Sequence, residues 1–218
     1  YIVKRSDWVI VSNAALAELC ETWGGNPLVM PDPLPSLQPN ASAETTQNKA
    51  EKPFAITFIC TWSEDEPFDN VLTAAQLLSN RNVILYMTGN PKAKISTSIP
   101  ENVRLTGFVE YAEYINILQK NDAVMVLTTR ENCLNCGAYE AVSPQKPGIL
   151  SNSDELRRYF HTGFLFTDNS PEDIARRIED LIDNYDEQTQ SIKKLKLKLE
   201  SEQISNAAII DSRIKSAQ

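Results

Sequence analysis

The sequence holds one histidine, His161, and only four cysteines, Cys20, Cys60, Cys133 and Cys136, in 218 residues. A Ser-His-Asp site therefore has no obvious footing, and His161, in Tyr159-Phe160-His161-Thr162, is expected to be an exposed helix-end residue. The cysteines are too few and too scattered for a disulfide framework, so reduced thiols of a cytoplasmic protein are expected. Cys133-x-x-Cys136 has the spacing of a metal knuckle, but zinc takes four ligands and no second pair exists. The same spacing in redox proteins needs a different surrounding fold. Small packing residues at a helix start are the expectation, with no bound metal. A basic excess is also lacking: 21 Lys+Arg face 29 Asp+Glu, a net charge of −8. That is the opposite of a nucleic-acid footprint. No run approaches the roughly 18 apolar residues of a membrane-spanning helix. No signal peptide is visible, and the chain opens on Tyr1 rather than methionine, so its natural start is expected to lie upstream.

What is present is a hydrophobic content of 42% with 23% charged residues, the balance of a soluble globular protein. Residues 1–35 begin with the apolar run Trp8-Val9-Ile10-Val11, then a Ser12-Asn13 cap signal and a helix over Ala14 to Thr22 ended by Gly24-Gly25. Leu28-Val29-Met30 follows, then Pro31-Asp32-Pro33-Leu34-Pro35, which forbids helix and central strand alike. Residues 36–52 are polar and read as a linker carrying a glycosylation sequon, Asn40-Ala41-Ser42, without meaning in a cytoplasmic chain.

From Pro53 to about 183, apolar runs alternate with helical patterns. Strands are expected at Phe54 to Cys60, Val83 to Met87, Val103 to Thr106, Ala123 to Leu127, Gly148 to Ser151 and Gly163 to Phe166. Helical spacing joins Phe68, Val71, Leu72 and Ala75, then Tyr111, Tyr114, Ile115 and Leu118. A further helix is expected from near Leu134 to Val142, another from Asp154 to Phe160, and Ser170-Pro171-Glu172-Asp173 opens the next. Six strands that are apolar throughout imply a parallel sheet covered on both faces, an α/β, Rossmann-like, doubly wound domain. Residues 184–218 read as a helical tail. Its basic stretch, Ser191 to Leu199, is either a solvated helix face or a patch for an anionic membrane surface.

In doubly wound sheets ligands bind beyond the carboxyl ends of the strands, which selects loops 61–66, 88–92, 107–111, 128–135 and 151–154. The richest is Thr128-Thr129-Arg130-Glu131-Asn132-Cys133-Leu134-Asn135, followed by Glu140. Free amides at a helix start suit a pyrophosphate, and a carboxylate one or two turns on can accept both hydroxyls of a ribose. The plainer alternative makes Glu131 a first-turn dipole acid and Glu140 a solvated helix residue.

The order Thr88-Gly89-Asn90, Asn102 to Phe108, Tyr111 to Lys120, Asp122 to Thr128, Glu131 to Ala141 and Lys146 to Ser151 resembles the carboxyl-terminal, donor-binding half of GT-B glycosyltransferases. The retaining group called family 4 is the nearest, in a divergent bacterial subgroup with Asp65-Glu66-Pro67. Asp7 to Asn13 through Pro31-Asp32-Pro33 resembles the last unit of that family's amino-terminal domain and the hinge. The resemblance implies a nucleotide-diphosphate sugar as donor, no further cofactor, a glycan or lipid-linked acceptor, a missing amino-terminal domain as partner, and a cytoplasmic location with possible contact to the inner membrane surface. It implies Glu140 for the donor ribose and Glu131 for the donor sugar; Glu131 and Arg130 are the expected catalytic residues. Leu134 and Asn135 would offer amides to the phosphates, Gly107-Phe108-Val109 backbone to the base. Thr61-Trp62 would stand at the phosphate loop, with Thr88-Gly89 lining the same crevice.

Three features depart from the family. Eight residues separate Glu131 from Glu140 where seven are usual, so Asn132 is a candidate for the first-acid place. The cations of the phosphate loop are replaced by Glu64-Asp65-Glu66, leaving Arg130 or Lys92 to compensate. Most of the family's acceptor domain is expected to lie outside this sequence. A non-catalytic nucleotide-binding module and a GT-B-shaped nucleotide-sugar epimerase are the alternatives to a transferase.

Overall fold

The computed structural model describes residues 2–37, 52–91 and 98–216. Most of the expected linker, with its sequon, and Lys92 lie outside the described residues. The chain begins with a small parallel unit in which β1 (Val9–Val11) pairs with β2 (Pro27–Val29) across α1 (Ala14–Thr22). Asn13 caps α1 as its type and place suggest: its Oδ1 accepts from the Leu16 amide at 2.9 Å.

The main domain follows, with β3 (Phe54–Phe58), α2 (Phe68–Leu77), β4 (Val83–Thr88), β5 (Val103–Gly107), α3 (Tyr111–Lys120) and β6 (Ala123–Val126). It continues through α4 (Cys136–Val142), β7 (Gly148–Ser151), α5 (Asp154–Tyr159), β8 (Phe164–Thr167), α6 (Pro171–Asp183) and α7 (Tyr185–Ser216). The six strands are parallel in the order β5-β4-β3-β6-β7-β8. The chain winds outward from β3 to β5, then returns to lay β6 on the other side of β3. This reversal is the switch point at which such sheets open a crevice.

The strands are mostly apolar because helices cover both faces; the exception is the edge strand β5, where Arg104 is exposed. Ile56, Phe58, Leu85, Met87, Met125 and Ile149 pack on one face against Val71, Leu72 and Ala75 of α2 and Ile174, Ile178 and Leu181 of α6. Val124, Val126 and Leu150 point to the other face, onto α3, α4, α5 and α7. At two sites the backbone opposite leaves no room for a side chain: a Cβ on Gly148 would sit 2.0 Å from the Val124 carbonyl, and one on Gly163 2.6 Å from Ile192 Cα, whereas one on Gly137 would meet Val126 Cγ2 tightly at 3.0 Å.

Two expectations are corrected. The helix expected near Leu134 begins at Cys136, with Asn135 as its cap residue. Asn135 makes no side-chain cap bond, so no local chemistry marks the start. The core also reaches past the expected boundary at 183. Ile192, Leu195 and Leu199 of α7 are buried in the second cluster, so the apolar side of the basic stretch lies inside the protein. Lys193, Lys194 and Lys198 face solvent, and Leu197 is exposed. The far half of α7 returns to the first unit, where the Arg213 guanidinium stacks 5.2 Å from the Trp8 ring.

Candidate functional site

The carboxyl ends of β3 and β6 flank the switch point, and the loops leaving them are tied together. The Asp65 carbonyl accepts the Thr129 amide at 2.8 Å, and its carboxylate accepts from the Thr128 hydroxyl at 2.9 Å and meets Arg130 Nε at 3.2 Å. The Ser63 hydroxyl donates to the same carboxylate at 2.8 Å. The Ser63 bond first, then Thr128 and Arg130, hold the Asp65 carboxyl below its usual range against the penalty of burial. Glu66 turns inward as well and accepts from the Ser63 amide at 2.8 Å and the Thr61 amide at 3.0 Å. Of the three acids that would repel a pyrophosphate, only Glu64 stays fully in solvent. Ser63, Glu64, Asp65, Thr129 and Arg130 line an open cavity of about 550 Å³. The Arg130 side chain is 69% exposed although paired with Asp65, so one face of the guanidinium remains open to that cavity.

The remaining expected residues fall into two groups. Trp62 is 2% exposed, with φ 63°, and its Nε1 donates to the Thr88 carbonyl at 2.9 Å. The Thr88 hydroxyl accepts the Cys60 amide at 2.9 Å. Gly89 has φ 75°, and a Cβ there would sit 2.4 Å from the Cys60 carbonyl. These three side-chain positions brace the β3–α2 loop from the side of β4, and Thr61 alone of the Thr61-Trp62 pair is exposed.

The second group surrounds Glu140. Gly107 turns with φ 68° at the end of β5 and bridges to Gly89. Phe108 is 87% exposed, Val109 is half-buried, and α3 begins two residues on. From α3 the Tyr114 hydroxyl donates to Glu140 Oε2. Glu140 is half-buried on α4, and burial pushes its carboxyl above the usual range while the Tyr114 bond acts in the opposite direction. Tyr114 is the residue sequence reasoning missed. It was legible only as part of an apolar face, and its partner lies two elements away.

Glu131 and Asn132 are both exposed and both line a cavity of about 200 Å³ with Ala15, Glu18, Asp154 and Arg158. This cavity lies between α1 of the first unit and α5 of the main domain. The Asn13 side-chain amide donates to the Asn132 carbonyl at 3.4 Å and ties the two units at its edge. Leu134 packs against the second core cluster, and Asn135 Oδ1 is buried without a partner just before α4. The correction to the helix start makes Cys136 and Gly137 its first amides. Cys133 and Cys136 are free thiols, and burial pushes the Cys133 thiol up. Among the described residues no group of three His, Cys, Asp or Glu is placed to hold a metal ion. No described helix is long and apolar enough to cross a membrane.

The described residues therefore present an arginine face at the switch point, a half-buried carboxylate that accepts from Tyr114, and a separate polar cavity of about 200 Å³ between α1 and α5. The fold is similar to that of Anabaena Alr3699/HepE in complex with UDP and glucose, with TM-score 0.79, 13% identity, and 99% of this chain and 65% of that one covered. Sucrose-phosphate synthase from Thermosynechococcus elongatus matches with TM-score 0.74 and 14% identity over 100% of this chain and 60% of that one. A glycosyltransferase from Rickettsia africae matches with TM-score 0.74 and 11% identity over 97% and 63%. At these identities the likeness is one of fold, that of the carboxyl-terminal part of GT-B proteins, and the chain spans less than two thirds of each. No curated protein sequence matches. The family model of glycosyl transferases group 1 matches residues 42–198, well over half of the sequence, and the chain belongs to that family.

Proposed function

We propose that this chain is the donor-binding part of a retaining, family 4-like glycosyltransferase that moves a sugar from a nucleotide diphosphate to a glycan or lipid-linked acceptor. The observation that carries the reading is Glu140, a half-buried carboxylate on the helix after β6 that accepts from Tyr114 of α3, the helix that follows the Gly107-Phe108-Val109 loop. A carboxylate so placed accepts two ribose hydroxyls while the base lies on the loop. The sugar then enters the cavity of Glu131 and Asn132, with either residue as its partner. Arg130 and the amides at the start of α4, with Leu134 and Asn135 leading into it, face the diphosphate. Donors fixed in advance at the departing diphosphate lower the barrier without reorganising during the reaction. One solved neighbour, Anabaena Alr3699/HepE, holds UDP in one structure and UDP-glucose in another, which supports a uridine nucleotide as donor. No metal or cofactor enters the scheme. Exposed Ile10 and Val29 on the first unit and Ile204, Ile209 and Ile214 on the far half of α7 support an amino-terminal acceptor domain as their cover. The site of action is the cytoplasm, with membrane contact arising through the acceptor.

Calorimetric titration with UDP-, GDP- and ADP-sugars tests the reading. A UDP-sugar is expected to bind, Glu140→Ala to weaken UDP itself by about tenfold or more, and the residue contacting the sugar to affect only the sugar nucleotide. If Glu140→Ala leaves every nucleotide unaffected, the donor-site reading fails. The acidic β3–α2 loop favours a second reading, a module that binds nucleotide without transfer. Tight binding with no turnover after the amino-terminal domain is supplied would select it.

A further inference from the structure

The β3–α2 loop contains a seat for an anion that the chain itself fills. Trp62 is left-handed between neighbours that are not, and the Thr61 and Ser63 amides on either side of it both point at the Glu66 carboxylate; converging backbone amides of this kind can hold an anion. The Thr61 amide reaches both oxygens of the Glu66 carboxylate at 3.0 Å. The Ser63 amide donates to Oε2 at 2.8 Å, the Thr61 hydroxyl to Oε1 at 3.1 Å, and the Cys60 thiol lies 3.4 Å from Oε2. The intervening Trp62 amide turns away, to Cys60 Sγ at 3.3 Å. The loop lies at the carboxyl end of β3, beside the switch point, and Cys60 to Pro67 includes no lysine or arginine. The Arg130 guanidinium across the switch point is paired with Asp65.

We infer that Glu66 is the resident anion of this loop and gates it: a ligand phosphate reaches the Thr61 and Ser63 amides only by displacing the Glu66 carboxylate. While Glu66 is seated, the diphosphate of a donor is confined to the Arg130 and α4 side of the crevice. A seated carboxylate also repels a phosphate that approaches from above. The seat itself stands on the loop geometry. Its opening toward the donor rests on the donor-site reading given above.

Anion rescue tests this on the full chain. Glu66→Ala empties the seat and leaves two amides without an acceptor. Its thermal midpoint is expected below that of the parent protein in phosphate-free buffer and to climb as inorganic phosphate is added, while the parent's midpoint stays where it was. Inorganic phosphate should bind Glu66→Ala on the order of tenfold more tightly than the parent, the worth of about one charge-assisted bond. UDP should gain similarly, and uridine, which has no phosphate, should not. Glu66→Gln keeps the seat filled without charge, so it should lose midpoint and regain little with phosphate. If phosphate neither raises the midpoint of Glu66→Ala nor refolds it, the seat does not exist. Equal rescue of Glu66→Gln would place the anion elsewhere and overturn the assignment too. UDP binding that is unchanged while phosphate rescues would end the gating role. A parent protein that binds no nucleotide would instead count against the donor-site reading, with the rescue still decided by phosphate alone.

Discussion

Glu140 combines two roles that work against each other. Its burial penalises the ionised form, yet the ionised form is the one that the proposed ribose contact needs. Because its folded pKa lies above the unfolded value, the folded protein binds the proton more tightly between the two. Stability therefore falls as pH rises through that window. Glu140→Gln removes this slope, so it is expected to leave the thermal midpoint unchanged or raise it slightly while nucleotide affinity drops. Nucleotide affinity of the parent should fail on acidification earlier than an ordinary glutamate would allow. Tyr114→Phe removes a bond to the charged form and should move that failure to still higher pH. Affinity titrations across pH check both. The sequence made Glu140 legible as a helix carboxylate at a strand end. Tyr114 was not legible as its partner, because the contact joins residues 26 apart through the packing of α3 on α4.

Glycine positions separate strain from crowding at the same scale. Gly89 and Gly107 both adopt φ near 70°, but only Gly89 has the Cys60 carbonyl 2.4 Å from the place of a Cβ, and Gly107 has nothing within 4 Å. Gly107→Ala is expected to cost about 1 kcal/mol, the conformational penalty alone. Gly89→Ala must also push back the β3–α2 loop, so its cost should exceed that by roughly 1–3 kcal/mol. Paired denaturant curves read the difference. Equal losses would mean that the loop yields freely, which conflicts with its bonds to Thr88.

At the scale of elements, the strands were readable because burial on both faces turns the inner ones into continuous apolar runs, least so at the edge strand β5, where Arg104 is exposed. β6 and β7 are buried at every position. Helix starts were readable where a side chain closes the first turn. Asn13, Ser153 and Ser170 each accept an amide three residues on. The start of α4 was misjudged by two residues because its cap residue, Asn135, makes no such bond. From its charges the β3–α2 loop was expected to repel a phosphate unless its acids turn away or another cation compensates. Two of them do turn inward, because Asp65 and Glu66 find donors within the loop and across the switch point. A charge count reports which groups are present but not which amides face them.

For the whole molecule, α7 decides where the main domain ends. Its apolar residues up to Leu199 complete the second core, whereas beyond it Ile204, Ile209 and Ile214 are exposed. The sequence pattern of lysines and leucines suited a detached tail equally well, because helical spacing gives a face without naming what covers it. Removing residues from 184 on takes away Ile192, Leu195 and Leu199, worth about 1.5–3 kcal/mol each when fully buried. Their sum is comparable to the roughly 5–15 kcal/mol total stability of a domain. A chain cut after residue 183 is therefore expected to be unfolded or molten, with no sharp thermal transition. A chain cut after residue 200 keeps all three and should melt cooperatively and retain nucleotide affinity within about twofold, since no residue of the proposed donor site lies beyond it. Leu195→Ala in the full chain should cost about 2–5 kcal/mol, and Leu197→Ala, exposed on the same helix, less than about 0.5 kcal/mol. If the chain cut after residue 183 melts as sharply as the one cut after 200, α7 only lies on the surface, and the domain ends at α6 as the alternation of strands and helices suggested.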